Sequence, residues 1–161
     1  MKLKSALAAV TLTLAATTSF AAELATRAAL TLEVAKQISA AAEAEAAKYN
    51  WTVAIAIVDE GGHLIHLAKI DNTQYGSVDV AIQKAQTSAA FKRATKVFED
   101  GIAGGRNALI GLKGALPLEG GVPIIHDGKV IGAIGVSGVK STEDGQVAKA
   151  GADALAKIIG K

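Results

Sequence analysis

Three histidines are the residues of this sequence best suited to carry chemistry: His63, His66 and His126. An imidazole ring can act as a general acid or base near neutral pH, and it is a common metal ligand. Side chains alternate between the two faces of a strand, so His63 and His66 should point to opposite sides unless a bulge intervenes. His63 follows Gly61-Gly62 at a predicted strand start. We treat it as the candidate metal ligand, with plain solvent exposure as the alternative, and we interpret His126 as an exposed surface residue.

Two carboxylates, Asp59 and Glu60, precede His63 at the same end of a predicted hairpin. A carboxylate beside an imidazole can perform acid–base work. The alternative is that Asp59 only stabilises the turn by bonding nearby backbone, which is a common role of aspartate. No G-x-S-x-G, H-E-x-x-H or G-x-x-x-x-G-K-[ST] motif occurs, so no known motif names a reaction.

A second candidate binding segment is Gly120-Gly121-Val122-Pro123. A double glycine before a proline permits unusual backbone angles and lets a ligand approach the main chain closely. Gly120, Gly121 and Pro123 are therefore candidate ligand-binding residues. A strained entry into the next strand explains the same pattern, and the two interpretations are compatible.

The elements that must position these residues follow from the hydrophobic pattern. The dipeptide Asp127-Gly128 joins two β-branched runs and predicts a tight hairpin. An acidic-Gly-Gly turn joins a second pair of runs, and residues 108–112 form a further candidate strand. Glycines recur every third residue at 132, 135 and 138, which matches no phosphate-binding motif and predicts close packing of another backbone.

Helices are predicted from cap residues and apolar spacing. Thr31, Ser77 and Thr95 are the expected N-caps of three helices, and Ser141 with Asp144 resembles a capping box that starts a fourth. Paired hairpins with helices around them indicate an α+β layer fold with an antiparallel sheet.

Composition limits the class of protein. The chain has 161 residues, half of them apolar and a fifth charged, which fits one folded domain and excludes a disordered chain. Cysteine is absent, so disulfides and thiol catalysis are excluded. The lysines are scattered singly rather than clustered, which argues against a nucleic-acid partner.

The first 21 residues predict a cleaved signal peptide. Lys2 and Lys4 form a basic start, residues 6–16 are mostly apolar, and Ser19-Phe20-Ala21 suits a signal peptidase. A buried helix or a membrane anchor is the alternative, but the run is shorter than the roughly 20 residues that span a bilayer. We therefore expect a periplasmic or secreted protein with a linker at residues 22–30 and a domain at 31–161.

Five sequence blocks in the right order resemble the haem-binding or haem-degrading family that includes GlcG and HbpS. The blocks are residues 58–64, 69–71, 81–85, 120–123 and 132–138. The resemblance implies a five-stranded antiparallel sheet flanked by helices, a profilin-like or PAS-like layer sandwich. It also implies assembly into homo-oligomers, haem binding in some members and sensing through a partner kinase in one branch. By their positions, His63 and Lys84 match residues of this family, and the resemblance implies that both are site residues.

These observations leave two main hypotheses. The first is an exported haem-binding protein, with a membrane sensor as a further partner. His63 or His66 would bind iron in an apolar crevice, and Lys84 or Arg93 would meet the propionates. The second is an enzyme or accessory factor for a small hydroxy- or oxo-acid, with a site built from Asp59, His63, Lys84 and the Gly120-Gly121 backbone. A non-catalytic module that modulates a membrane partner is a third interpretation.

Overall fold

The computed structural model describes residues 22–160, and the predicted signal segment lies outside them. Residues 22–31 contain neither helix nor strand. The elements that follow are α1 (Leu32–Ala47), β1 (Ala54–Asp59), β2 (Leu64–Lys69), α2 (Gly76–Phe91), α3 (Lys96–Ala103), a 3₁₀ helix (Asn107–Gly111), β3 (Gly121–His126), β4 (Lys129–Ser137), α4 (Ser141–Asp153) and α5 (Leu155–Ile158).

The described residues form one antiparallel sheet of four strands in the order β2-β1-β4-β3. Both predicted hairpins are present, and their inner strands β1 and β4 pair with each other. The expected fifth strand is not confirmed, because the candidate segment 108–112 falls largely in the 3₁₀ helix. Leu109 of this helix folds back against α3, where its Cδ1 would lie 2.6 Å from a Cβ added at Gly101. The α+β class is correct, and the sheet is one strand smaller than expected.

Helices cover the two faces of the sheet differently. Ile55 and Ile57 of β1 point to a core shared with α1, α4 and α5. Ala54, Ala56 and Val58 point to the opposite face, where they pack against alanines of α2. The small residues on this second face bring α2 close to the sheet, and the added Cβ of a residue at position 135 would collide with the α2 backbone. The prediction of close backbone packing at this glycine is confirmed.

The predicted helix starts are confirmed in part. The Thr31 hydroxyl caps α1 by accepting a 3.3 Å bond from the N–H of Val34. Ser77 does not cap α2, because the helix already begins at Gly76, one residue before Ser77, and the Ser77 side chain is buried. The predicted capping box at α4 is wrong in register: the N–H of Lys140 donates to Glu143, and Asp144 is buried instead. Within residues 22–160, no helix is both long and apolar enough to cross a membrane.

Candidate functional site

The double glycine at the entry to β3 lies against a buried lysine. Gly120 has a φ of +128°, a conformation that side chains rarely adopt. A Cβ at this position would lie 2.7 Å from Lys84 Nζ and 2.6 Å from the carbonyl oxygen of Val136. Position 120 therefore needs glycine, because the lysine side chain occupies the space that a side chain would fill.

Lys84 forms a buried ion pair with Asp144. Its Nζ lies 2.7 Å from the Asp144 carboxylate and donates a 3.0 Å hydrogen bond to Val136 O. The two side chains are only 1% and 3% exposed. Burial raises the pKa of Asp144, while the Lys84 ammonium and the N–H groups of Val139 and Gly138 act in the opposite direction. The pair joins α2, β4 and α4, and its burial keeps the Lys84 ammonium away from the solvent.

A cleft of about 510 Å³ runs along the outer edge of β3. We call it the β3 cleft. It lies between β3, the residues that begin α3, and the helices α4 and α5, and it is lined by Ala94, Lys96, Glu119, Gly120, Gly121, Val122, Pro123, Ile125, Gly145, Lys149, Ala152, Asp153, Leu155 and Ala156. Its volume is within the range of small-molecule sites. All four residues of the predicted binding segment Gly120-Gly121-Val122-Pro123 line this cleft, and Lys84, the histidines and Arg93 do not.

The turn between β1 and β2 holds His63 against Asp59. The Asp59 carboxylate accepts hydrogen bonds from the N–H of Gly61 at 2.8 Å and of His63 at 2.9 Å, and it lies 3.3 Å from His63 Nδ1. Burial disfavours ionisation of Asp59, but these N–H groups and the His63 ring outweigh it and lower the pKa of Asp59. The aspartate thus performs the expected turn role and also orients the imidazole.

A β-bulge brings His63 and His66 to the same side of the sheet. The register between β1 and β2 shifts so that Ile65 has no partner, with Leu64 opposite Val58 and His66 opposite Ile57. His63 contacts Asp59, which shares a face with Ile57 because the two are separated by one residue. The expectation that His63 and His66 point to opposite faces is therefore wrong, because a bulge intervenes between them and changes the alternation of side chains.

The remaining predicted residues lie apart from one another. Arg93 is exposed beyond the end of α2, where its guanidinium stacks 5.8 Å from the ring of Phe98. His126 is partly exposed and lies 3.3 Å from Asp127. A second cleft of about 260 Å³ lies beside the β1–β2 turn, lined by Arg27, Ala28, Ala29, Leu30, Asp59, Glu60, Ile65 and Ile131. In the part of the chain that the structure describes, no three His, Asp or Glu side chains are grouped to hold a metal ion.

The structure thus separates two groups that the sequence could not tell apart. One is the Asp59, His63 and His66 face of the first hairpin, and the other is the β3 cleft backed by the Lys84–Asp144 pair. Asp144 was missed as a partner of Lys84 because its position three residues after Ser141 suggests a helix cap. No short-range signal links two residues 60 positions apart.

The fold and these sites define a small α+β layer domain with a buried ion pair behind a double-glycine strand. Residues 30–153 match the family described as "Haem degrading protein HbpS-like", and the chain belongs to this family.

Three similar proteins illustrate the relationship. Protein GlcG of Escherichia coli strain K12 is 42% identical over 112 residues, which is 70% of this chain and 84% of GlcG. A double mutant of Streptomyces reticuli HbpS superposes with a TM-score of 0.76 at 31% identity, covering 89% of this chain and 98% of that one. A structure titled "Crystal Structure of PduOC:Heme Complex" gives a TM-score of 0.70 at 26% identity, covering 79% and 95% of the two chains.

Proposed function

We propose that this protein binds haem and that His63 provides the iron ligand. Membership of a family described as haem-degrading supports a haem-related role, as does the similarity to a protein crystallised with haem. The single observation that carries the assignment is the contact between His63 Nδ1 and Asp59 at 3.3 Å. Histidine ligands typically donate their second ring N–H to a carboxylate, which fixes the tautomer and leaves Nε2 for the metal.

The available donor residues support the first hairpin rather than the β3 cleft as the haem site. Haem iron is usually held by His, Cys, Met or Tyr, and the β3 cleft is lined by none of them. The face of the first hairpin has two histidines, and the smaller cleft beside it adds apolar Ile65 and Ile131. The first hairpin therefore supplies donors that suit haem iron and the β3 cleft supplies none, although neither His63 nor His66 lines the smaller cleft itself.

The polar ends of the porphyrin need a cation that reaches solvent. Lys84 is 1% exposed and already paired, so it stabilises the fold rather than meeting a propionate. Arg93 lies on α3's side of the molecule, against Phe98. Arg27 lines the smaller cleft and lies 3.1 Å from Glu60 in an exposed ion pair. We assign the propionate contact to Arg27, because an exposed pair of this kind is worth little and exchanges easily.

When bound, haem supplies redox and ligand-binding chemistry at iron. The chain itself would hold the iron through His63, with Asp59 orienting the His63 imidazole and His66 on the same face of the sheet. We also propose that the protein is exported, on the signal pattern of residues 1–21, and that it assembles as a homo-oligomer. A membrane sensor partner remains part of this proposal.

The small-acid alternative required Asp59, His63, Lys84 and the double glycine in one site. The structure places the histidine turn beside Gly132 and the lysine beside Val136, four residues further along β4. The four groups are not assembled, and we favour haem.

An absorbance titration with hemin tests the proposal. We expect a saturable Soret change for the wild type, and a loss of affinity of about tenfold or more for His63→Ala. His126→Ala is the matched control, since that histidine lies at the other hairpin turn, and it should bind as the wild type does. Equal binding by wild type and His63→Ala would contradict the assignment of the ligand, and non-saturating binding by all variants would contradict haem binding itself.

A further inference from the structure

The two edges of the sheet are protected to different degrees. At the β3 edge, the outward N–H of Gly121 donates to the Thr95 hydroxyl at 2.9 Å, and the N–H of Thr95 donates to Gly121 O at 2.9 Å. The next outward-facing residue along β3 is Pro123, which has no N–H. This edge therefore offers few free donors to another strand.

The β2 edge has no such protection. Ile70 donates its N–H to Val53 O at 3.0 Å, which fixes the alternation of bonds along the β1–β2 ladder. Ile70 and Ala68 then bond to β1, whereas the N–H and C=O groups of Leu67 and Lys69 point away from the sheet. No other strand of the described residues pairs with β2.

Apolar side chains lie beside these outward-pointing backbone groups. Leu64 and Leu67 are 46% and 36% exposed. The register places them opposite Val58 and Ala56, which are buried under α2, so both leucines share the α2 face. The helix packs across β1, β4 and β3, and it leaves the β2 part of that face open.

We propose that β2 pairs with β2 of a second copy of this chain, in antiparallel orientation about a two-fold axis. Such a contact would extend the two sheets into one and cover the exposed leucines. The inference rests on the proposed homo-oligomer and names its contact, and it does not depend on haem.

The charge distribution favours a second copy as the occupant. β2 is preceded by the turn that carries Asp59 and Glu60 and ends at Lys69; Asp59 is bonded within the turn, so the acid open to Lys69 is Glu60, whose exposed ion pair with Arg27 exchanges easily. In the part of the chain described, the contact found for the Lys69 ammonium is the ring of Tyr75 at 5.6 Å, and it forms no ion pair. An antiparallel copy brings the basic end of each strand toward the acidic turn of the other, which makes the edge self-complementary.

Cross-linking tests the contact directly, because the chain has no cysteine. We expect the thiol introduced by Leu67→Cys to give a covalent dimer with a short bis-maleimide in haem-free protein. Ile125→Cys is the matched control, since Ile125 is 53% exposed on the opposite edge strand, and it should remain uncross-linked. Equal cross-linking of the two variants, or none in either, would overturn the proposal.

Light scattering of haem-free protein provides the second measurement. Leu67→Pro removes only an outward N–H, so β2 can keep its bonds to β1, and we expect the molar mass to fall to half that of the wild type. Leu67→Ala keeps the N–H and should retain the contact with a weaker association. A monomeric wild type, or an unchanged mass for a folded Leu67→Pro, would overturn the proposal. Hemin binding is measured separately, so failure of the haem assignment and failure of this contact give different results.

Discussion

The Lys84–Asp144 pair shows how burial raises the energetic cost of losing one partner of an ion pair. Removing one partner leaves the other charge buried at the junction of α2, β4 and α4. We expect Lys84→Met to lower the free energy of unfolding by about 3–5 kcal/mol. The double variant Lys84→Met/Asp144→Leu should recover most of this loss, because it buries no unpaired charge. Urea unfolding measures both values.

Lys96→Met is the matched control for this prediction. Lys96 also pairs with acids, at 2.8 Å to Asp100 and 3.7 Å to Glu119, but its side chain is 51% exposed. The change should alter stability by less than about 1 kcal/mol. If Lys84→Met were no more harmful than Lys96→Met, the buried pair would not stabilise the fold.

Asp59 should make part of the stability depend on acid pH. The pKa of this carboxyl is lower in the folded protein than its ordinary value of about 3.9. Its stabilising effect is therefore complete above that value and is lost as the pH falls through the folded pKa. We expect the wild type to melt higher than Asp59→Asn at pH 6, and the difference to shrink at pH 3. Thermal unfolding of both proteins across this pH range measures the difference in melting temperature.

Glu60→Gln is the control, since it removes only an exposed ion pair with Arg27. Its melting temperature should not converge with that of the wild type as the pH falls. A gap between wild type and Asp59→Asn that stayed constant with pH would contradict ionisation of Asp59 as the source of the stabilisation.

At the scale of elements, the turns were the most predictable features. Asp127 and Gly128 have φ values of 46° and 73°, the positive angles that Asp-Gly supplies in a tight hairpin turn. The position of the bulge at Ile65 was not predictable, because the consecutive apolar pairs Leu64-Ile65 and Leu67-Ala68 show no clear period-2 alternation from which the register could be read. Since the bulge decides which face His66 takes, the relation between the two histidines required the structure.

The candidate sites were also predictable only in part from the sequence. The sequence predicted that Gly120-Gly121 lets a ligand approach the main chain closely; the structure shows a close approach at Gly120, and the binding of a ligand there stays a prediction. The approaching group at Gly120 is Lys84 of the protein itself, which only the tertiary packing could reveal. The segment 108–112 was misassigned because a short apolar run does not distinguish a strand from a helical turn, and in the structure its Leu109 packs against Gly101 of α3.

At the scale of the whole molecule, the edges of the sheet limit how copies can associate. One open edge that pairs about a two-fold axis closes on itself, whereas two open edges allow addition without limit. Pro123 and Thr95 keep the β3 edge closed.

Pro123→Val restores an outward N–H at this edge and adds a residue that favours strands. We therefore expect this variant to form species larger than the wild-type assembly as the concentration rises, measured by static light scattering. Pro117→Val, in the loop before β3, changes the same residue type away from the edge and should leave the mass unchanged. If both variants kept the wild-type mass at every concentration, the proline would not be what closes this edge, and the bonds between Thr95 and Gly121 would be sufficient to protect it.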